Sequence, residues 1–234
     1  MMTRTTVSAA RLLAIVTVTL AGAQRSGAQD ARLAAQLDAE TQSRVSLVIE
    51  RARSASLPIE PLVDKALEGA RKRAPNARII EAVTTLAARL DSSRVALGSA
   101  STEAELVAAA SALQAGVGTD VLTRLRHERV GRSLAVPLVV LGDLVTRGVP
   151  HDTASALILL VAHEGLGDET LLAIQRDVQR DVRDGAHPAT AAAIRARGAV
   201  SGGSTRLRPT RGPLAAGAAS SASPSAARPG GAKP

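Results

Sequence analysis

The chain has 234 residues, a formal net charge of +8 and no Cys, Trp, Tyr or Phe. Without cysteine, disulfides, thiolate catalysis and cysteine-ligated metals are excluded, and without aromatic rings there is no stacking platform for bases or sugars. The charge excess is terminal: residues 30–198 hold all 21 acids and 21 of the 29 Lys+Arg, so the central part is balanced and its field is too weak to steer sequence-specific binding of nucleic acid.

The N-terminus has the order of a secretory signal. Arg4 and Arg11 precede an apolar run from Leu12 to Ala23, and two small-x-small sites follow, Ala21-Gly22-Ala23 and Ser26-Gly27-Ala28. The run is about 12 residues long, against the ~20 that a spanning helix needs. A signal peptide over 1–28, cleaved after Ala23 or Ala28, is therefore expected, and with it a periplasmic or extracellular protein that keeps no transmembrane span. Ala23 stands where a lipoprotein signal needs Cys, so lipid anchoring at that site is excluded.

From Asp30 to Ser54, Leu33, Leu37, Val45, Val48 and Ala52 recur at loose helical spacing, which predicts one helix. Leu57-Pro58 ends it, and Pro61 suits the first turn of the next helix, to about Arg73. Ala74-Pro75-Asn76 breaks the chain again, with Asn76 as cap. Ile79, Ile80, Val83, Leu86, Leu90 and Leu97 then trace an apolar face up to Gly98. Thr102-Glu103-Ala104-Glu105 has capping-box spacing and starts a helix to Ala115. Another follows Gly118-Thr119 to about Val130.

The longest apolar concentration, Ser133 to Gly165, reads as a helical hairpin. Its arms are Leu134–Val145 and Ala154–Ala162. Gly148 suits a left-handed helix end, Val149 the hydrophobic position after it in a Schellman motif, against Leu144, and Asp152 a cap for the second arm. That arm is apolar nearly all round, so it is expected to be buried on most sides. Asp168 then caps a helix with Leu171, Ile174, Val178 and Val182 on one face, and a last short helix ends near Arg197.

The breaks share a pattern. Leu57-Pro58, Ala74-Pro75, Val117-Gly118, Val149-Pro150, Leu166-Gly167 and Ala186-His187 each set an apolar residue before a breaker, a cap-like residue and a new helix. Three adjacent pairs are 17 residues apart (57→74 and 149→166) or 20 (166→186), the length of a helix plus its turn. The spacing fits a degenerate helical array, and equally any helical protein with short turns. No strand signature competes. The expected fold is all-α: one domain over 30–198 of eight or nine short antiparallel helices, as a hairpin array or an irregular bundle. Residues 199–234, dominated by Ala, Gly, Ser, Pro and Arg and without acids, are expected to be a disordered tail.

Few motifs carry chemistry. His163-Glu164 opens like a zincin helix, but Gly167 stands where the second His is needed, and His127-Glu128 meets Gly131 in the same way. No nucleophile elbow, phosphate loop or dinucleotide fingerprint occurs. The carboxylate pairs Glu103/Glu105 and Asp168/Glu169 fall at helix starts, where capping explains them. No catalytic residue, metal or cofactor is expected. Arg71, Lys72 and Arg73 form the one dense basic cluster, and with Arg206, Arg208 and Arg211 of the tail they are the candidate contacts for a polyanion. The functional expectation is a non-catalytic envelope scaffold that binds another envelope protein through an apolar helix groove. An accessory protein tethered to anionic polymers by its tail is the alternative, and a hydrolase with an unrecognised site comes third.

Overall fold

The computed structural model describes residues 31–206, which are helical throughout apart from short connections and contain no strand. After a single helical turn at 31–34 come nine helices: α1 (Ala39–Ser54), α2 (Glu60–Arg71), α3 (Asn76–Leu97), α4 (Glu103–Gln114), α5 (Thr119–Glu128), α6 (Ala135–Thr146), α7 (His151–His163), α8 (Asp168–Arg183) and α9 (Pro188–Arg206). Each helix packs mainly on its neighbour in the chain or on the next but one. The odd helices thereby form one continuous row, α1–α3–α5–α7–α9. In the even row α4 packs on α6 and α6 on α8, whereas α2 rests on α3. The expected all-α domain is thus a two-row array of helices.

The recurring breaks are helix terminators. At six helix ends a residue with positive φ is followed by an apolar one whose N–H reaches back five residues, the bond of a Schellman motif. Leu57, Ala74, Val117, Val149, Leu166 and Ala186 donate in this way to Ala52, Gly69, Ala112, Leu144, Val161 and Asp181. The left-handed residue is glycine at four of them and Ser56 or Arg73 at the other two. Ser56 is held there by a partner, because Arg94 Nη2 donates to its carbonyl at 2.9 Å.

Two apolar clusters meet at α4. Leu106 and Ala110 belong to the one built on α1, α2 and α3, while Ala108, Ala109 and Ala112 belong to the one built on α5–α9. A helix buried on both flanks must present small side chains to both, which accounts for its run of alanines. The ALILLVA arm lies in the second cluster as expected: Leu157, Ile158, Leu159 and Val161 are buried, and Leu160 is at the margin of exposure.

Four expectations are corrected. Residues 30–54 are not one helix, because the Asp38 side chain accepts the Thr41 N–H at 3.1 Å and starts α1 after a break. Asn76 and Asp152 lie inside the first turns of α3 and α7, and Pro75 and Pro150 occupy the cap positions. Asp168 is likewise the first residue of α8 behind Gly167, and its carboxylate takes a guanidinium instead. Finally, α9 continues past Arg197 and Ala199 to Arg206, since Ala191, Ala192 and Ala196 seat it in the core, with Ala199 packed against it. The segment expected to be a signal peptide and the residues beyond Arg206 lie outside the described residues.

Gly148 has φ +90°, and a Cβ there would meet only Pro188 Cγ at 3.7 Å, so strain of the backbone and not a clash opposes substitution. Gly148→Val should lower stability by about 1–2 kcal/mol or more in chemical denaturation, because a β-branched residue resists this conformation. An unchanged midpoint would contradict the terminator.

Candidate interaction groove

An apolar groove lies between α4 and α6, with a volume of about 780 Å³. Glu103, Ala104, Val107, Ala108 and Ser111 line it from α4, and Leu138, Val139, Gly142, Asp143 and Thr146 from α6. These positions recur at intervals of three or four, so each helix contributes one ridge, and the floor between them is aliphatic. Val139 is 56% exposed although it stands in the most apolar stretch of the chain. Ala104 and Gly142 keep the walls low, and a Cβ on Gly142 would point into open space.

The spacing of the two ridges is set by a buried carboxylate. Glu105, 3% exposed, completes the capping box of α4 by accepting the Thr102 N–H at 2.9 Å, while its own N–H donates to Thr102 Oγ1. Its other oxygen accepts the N–H of Leu134 at 2.7 Å. Leu134 is the cap residue of α6 and brings no side-chain cap of its own. One carboxylate therefore serves the starts of two helices and places their N-terminal ends side by side. Arg126 of α5 pairs with the same carboxylate at 3.2 Å. Burial pushes the Glu105 carboxyl upward, but the Leu134 and Thr102 amides and the Arg126 guanidinium outweigh it and hold the group below its ordinary range.

Asp143 makes the corresponding tie on the other side. Its Oδ2 accepts from Gln175 Nε2 and Gln179 Nε2 of α8 at 2.8 Å each, and from Arg147 Nε at 2.8 Å. Here too burial acts upward and is overcome, first by the Arg147 hydrogen bond and then by the two glutamines, so this carboxyl also lies below its ordinary range. Both groups stay ionised at neutral pH with their oxygens already engaged. They are structural clamps and unsuited to taking a proton from a substrate.

The residues singled out in the sequence do not assemble into one site. Arg71, Lys72 and Arg73 are exposed at the end of α2. Lys72 is paired with Glu68, and Arg73 occupies the left-handed terminator position, so part of this cluster serves the helix end. Arg206 is the last residue of α9, and Arg208 and Arg211 lie outside the described residues. His163 Nδ1 approaches Glu128 Oε2 at 3.3 Å on an exposed surface. Among the described residues no group of three or more His, Cys, Asp or Glu is arranged to hold a metal ion. Glu105 completes the cap of α4 and Glu103 stands in its first turn, but the long-range partners of Glu105 were not visible in the sequence, and neither was the place of the groove. Arg129 was missed as well. It is buried at the end of α5 and gives Nη2 to Asp168 Oδ1 at 2.5 Å, joining α5 to the start of α8.

No family model, curated protein or solved structure matches the chain, so the functional reading rests on its own residues.

Removing the carboxylate leaves the Leu134 amide and Arg126 without their partner, so Glu105→Ala should cost roughly 2–3 kcal/mol at neutral pH. Because folding lowers this pKa, the contribution is present above the ordinary value of 4.5 and fades as pH falls through the lowered one. The stability difference between wild type and Glu105→Ala, followed by denaturant titration from pH 7 to pH 3, should therefore shrink. A difference that stays constant or grows toward pH 3 would contradict the assignment.

Proposed function

We propose that this chain is an exported, non-catalytic interaction module, and that another envelope protein lays an apolar helix into the α4/α6 groove. The observation that carries this reading is the exposed aliphatic floor around Val139 and Gly142, held open by two carboxylate clamps. Low walls of alanine and glycine suit close approach of a helix backbone, and a groove of this kind is read by residues at i, i+3 and i+4 on the incoming helix.

The reading is tested on the native protein recovered from its own envelope. Val139→Asp, at an exposed position, should retain the helical spectrum and abolish recovery of the partner, as should Gly142→Leu, which fills the groove. Deleting 207–234 should leave recovery intact. A partner lost on deleting the tail in a salt-sensitive way, and kept by Val139→Asp, would replace this reading with tethering through Arg208, Arg211 and the exposed Arg71–Arg73 cluster.

Export is checked by intact mass and fractionation. The mature chain should begin at Gln24 or Gln29 and be found outside the cytoplasm, and Val16→Arg should trap the precursor inside. A cytoplasmic protein that retains residues 3–20 would overturn the localisation and the envelope partner with it.

A further inference from the structure

The even row is interrupted at its start. Helix α2 has 12 residues against the 22 of α3 on which it lies, and α2 and α4 do not close on each other as α4 and α6 do. The middle of α3 is left open between them as a trough of about 460 Å³. Its floor is aliphatic, formed by Leu86 and Leu90 of α3 and Val107 of α4. Leu90 is buried and the other two are half-buried.

Lys65, Arg78 and Arg89 stand along this trough, and Glu81 is the one carboxylate among its lining residues. The arginines are loosely held. Arg78 reaches Glu81 only at 3.4 Å, and Arg89 reaches Gln114 Oε1 at the same distance, the outer limit of a hydrogen bond. A guanidinium has five donors, so each retains several facing solvent. Lys65 is bonded to Glu68 at 2.9 Å, and Glu68 also takes Lys72, whose hydrogen bond with that of Lys65 draws its carboxyl down to about 2. That carboxylate is already shared between two lysines and does not neutralise the arginines.

We infer that this trough binds a single-chain amphiphilic anion, of which an aliphatic carboxylate is the simplest, with its head at Arg89, which has no carboxylate partner of its own among the described residues, and its chain along Leu86 and Val107. The two halves of the lining select against other classes. A sugar phosphate would satisfy the cations and leave the aliphatic floor against water, and a neutral alkane would cover the floor and leave the guanidiniums unused. A base or aromatic acid would find no ring to stack on, since the chain has none. The volume falls within the ~300–1,000 Å³ of small-ligand pockets. The inference does not rest on the partner groove, because Val139 and Gly142 lie across the α4 ridge from the trough.

Calorimetric titration of the purified chain with dodecanoate, below its micellar concentration, tests this directly. One saturable site is expected, with 1-dodecanol weaker by roughly tenfold or more and acetate without effect. Arg89→Gln, at a half-exposed position, should weaken dodecanoate by about tenfold or more and leave dodecanol unchanged. Val139→Asp should leave both unchanged. No saturable binding, equal affinity for acid and alcohol, full affinity in Arg89→Gln, or loss of binding in Val139→Asp would each overturn the site. Co-sedimentation with phosphatidylglycerol vesicles without binding of free dodecanoate would indicate a membrane-reading surface, and would overturn it too.

Discussion

The Glu105 carboxylate is the interaction on which the arrangement of the helices depends. A carboxylate taken out of water is costly unless its lone pairs are used. Here they are used by the start of its own helix, by the start of α6 and by a guanidinium from α5. The three groups come from three successive helices, so the cost of burial is offset only when all three stand in register. A single aliphatic residue in the same place would fill the volume and specify nothing about which helix start lies beside which. The groove between α4 and α6 follows from this pairing, because two helices whose starts share one carboxylate must run side by side with their outer ridges parallel.

Helix ends do the remaining positioning. Each of the six Schellman terminators turns the chain within two or three residues, and the apolar residue that follows is buried at Leu57, Val117 and Val149 and half-buried at Ala74 and Leu166, while Ala186 stays exposed. The sequence displayed these points well. Leu57, Ala74, Val117, Val149, Leu166 and Ala186 stood before breakers and turned out to be the residues that close the motif. Where glycine was absent the left-handed residue was hidden: nothing in Ser56 or Arg73 announces a positive φ, and Ser56 depends on Arg94, 38 residues away. Asp38 breaks the first predicted helix because a local side-chain bond outcompetes a loose apolar period, and α9 outruns its expected end because alanines buried one turn earlier carry the glycine-rich segment along.

The site was less legible than the fold for a physical reason. A groove is a relation between two ridges about thirty residues apart, and the apolar stretch that supplies one of them reads as core from end to end. Val139 differs from Leu138 and Val140 only in pointing away from the packed side, which no local pattern records. The basic residues were visible, but as clusters along the chain. The cations that line a cavity, Lys65, Arg78 and Arg89, come from two helices and are separated by acids, so in sequence they look like ordinary solvated charge.

The even-row face thus carries two unlike surfaces, divided by the Val107 and Ser111 ridge of α4 that lines both. One is mostly apolar, with the carboxylates Glu103 and Asp143 as its charged lining, and suited to a helix; the other is cationic over an aliphatic floor. The account stands most directly on the claim that the first is where a partner protein sits. Replacing Val139 with a photo-crosslinking amino acid in the native host, and Val95 of α3 as a still more exposed control (56% and 79%), measures that. A single discrete adduct from position 139 and none from position 95 is the predicted result; adducts from 95 alone, from both alike, or from neither would contradict it.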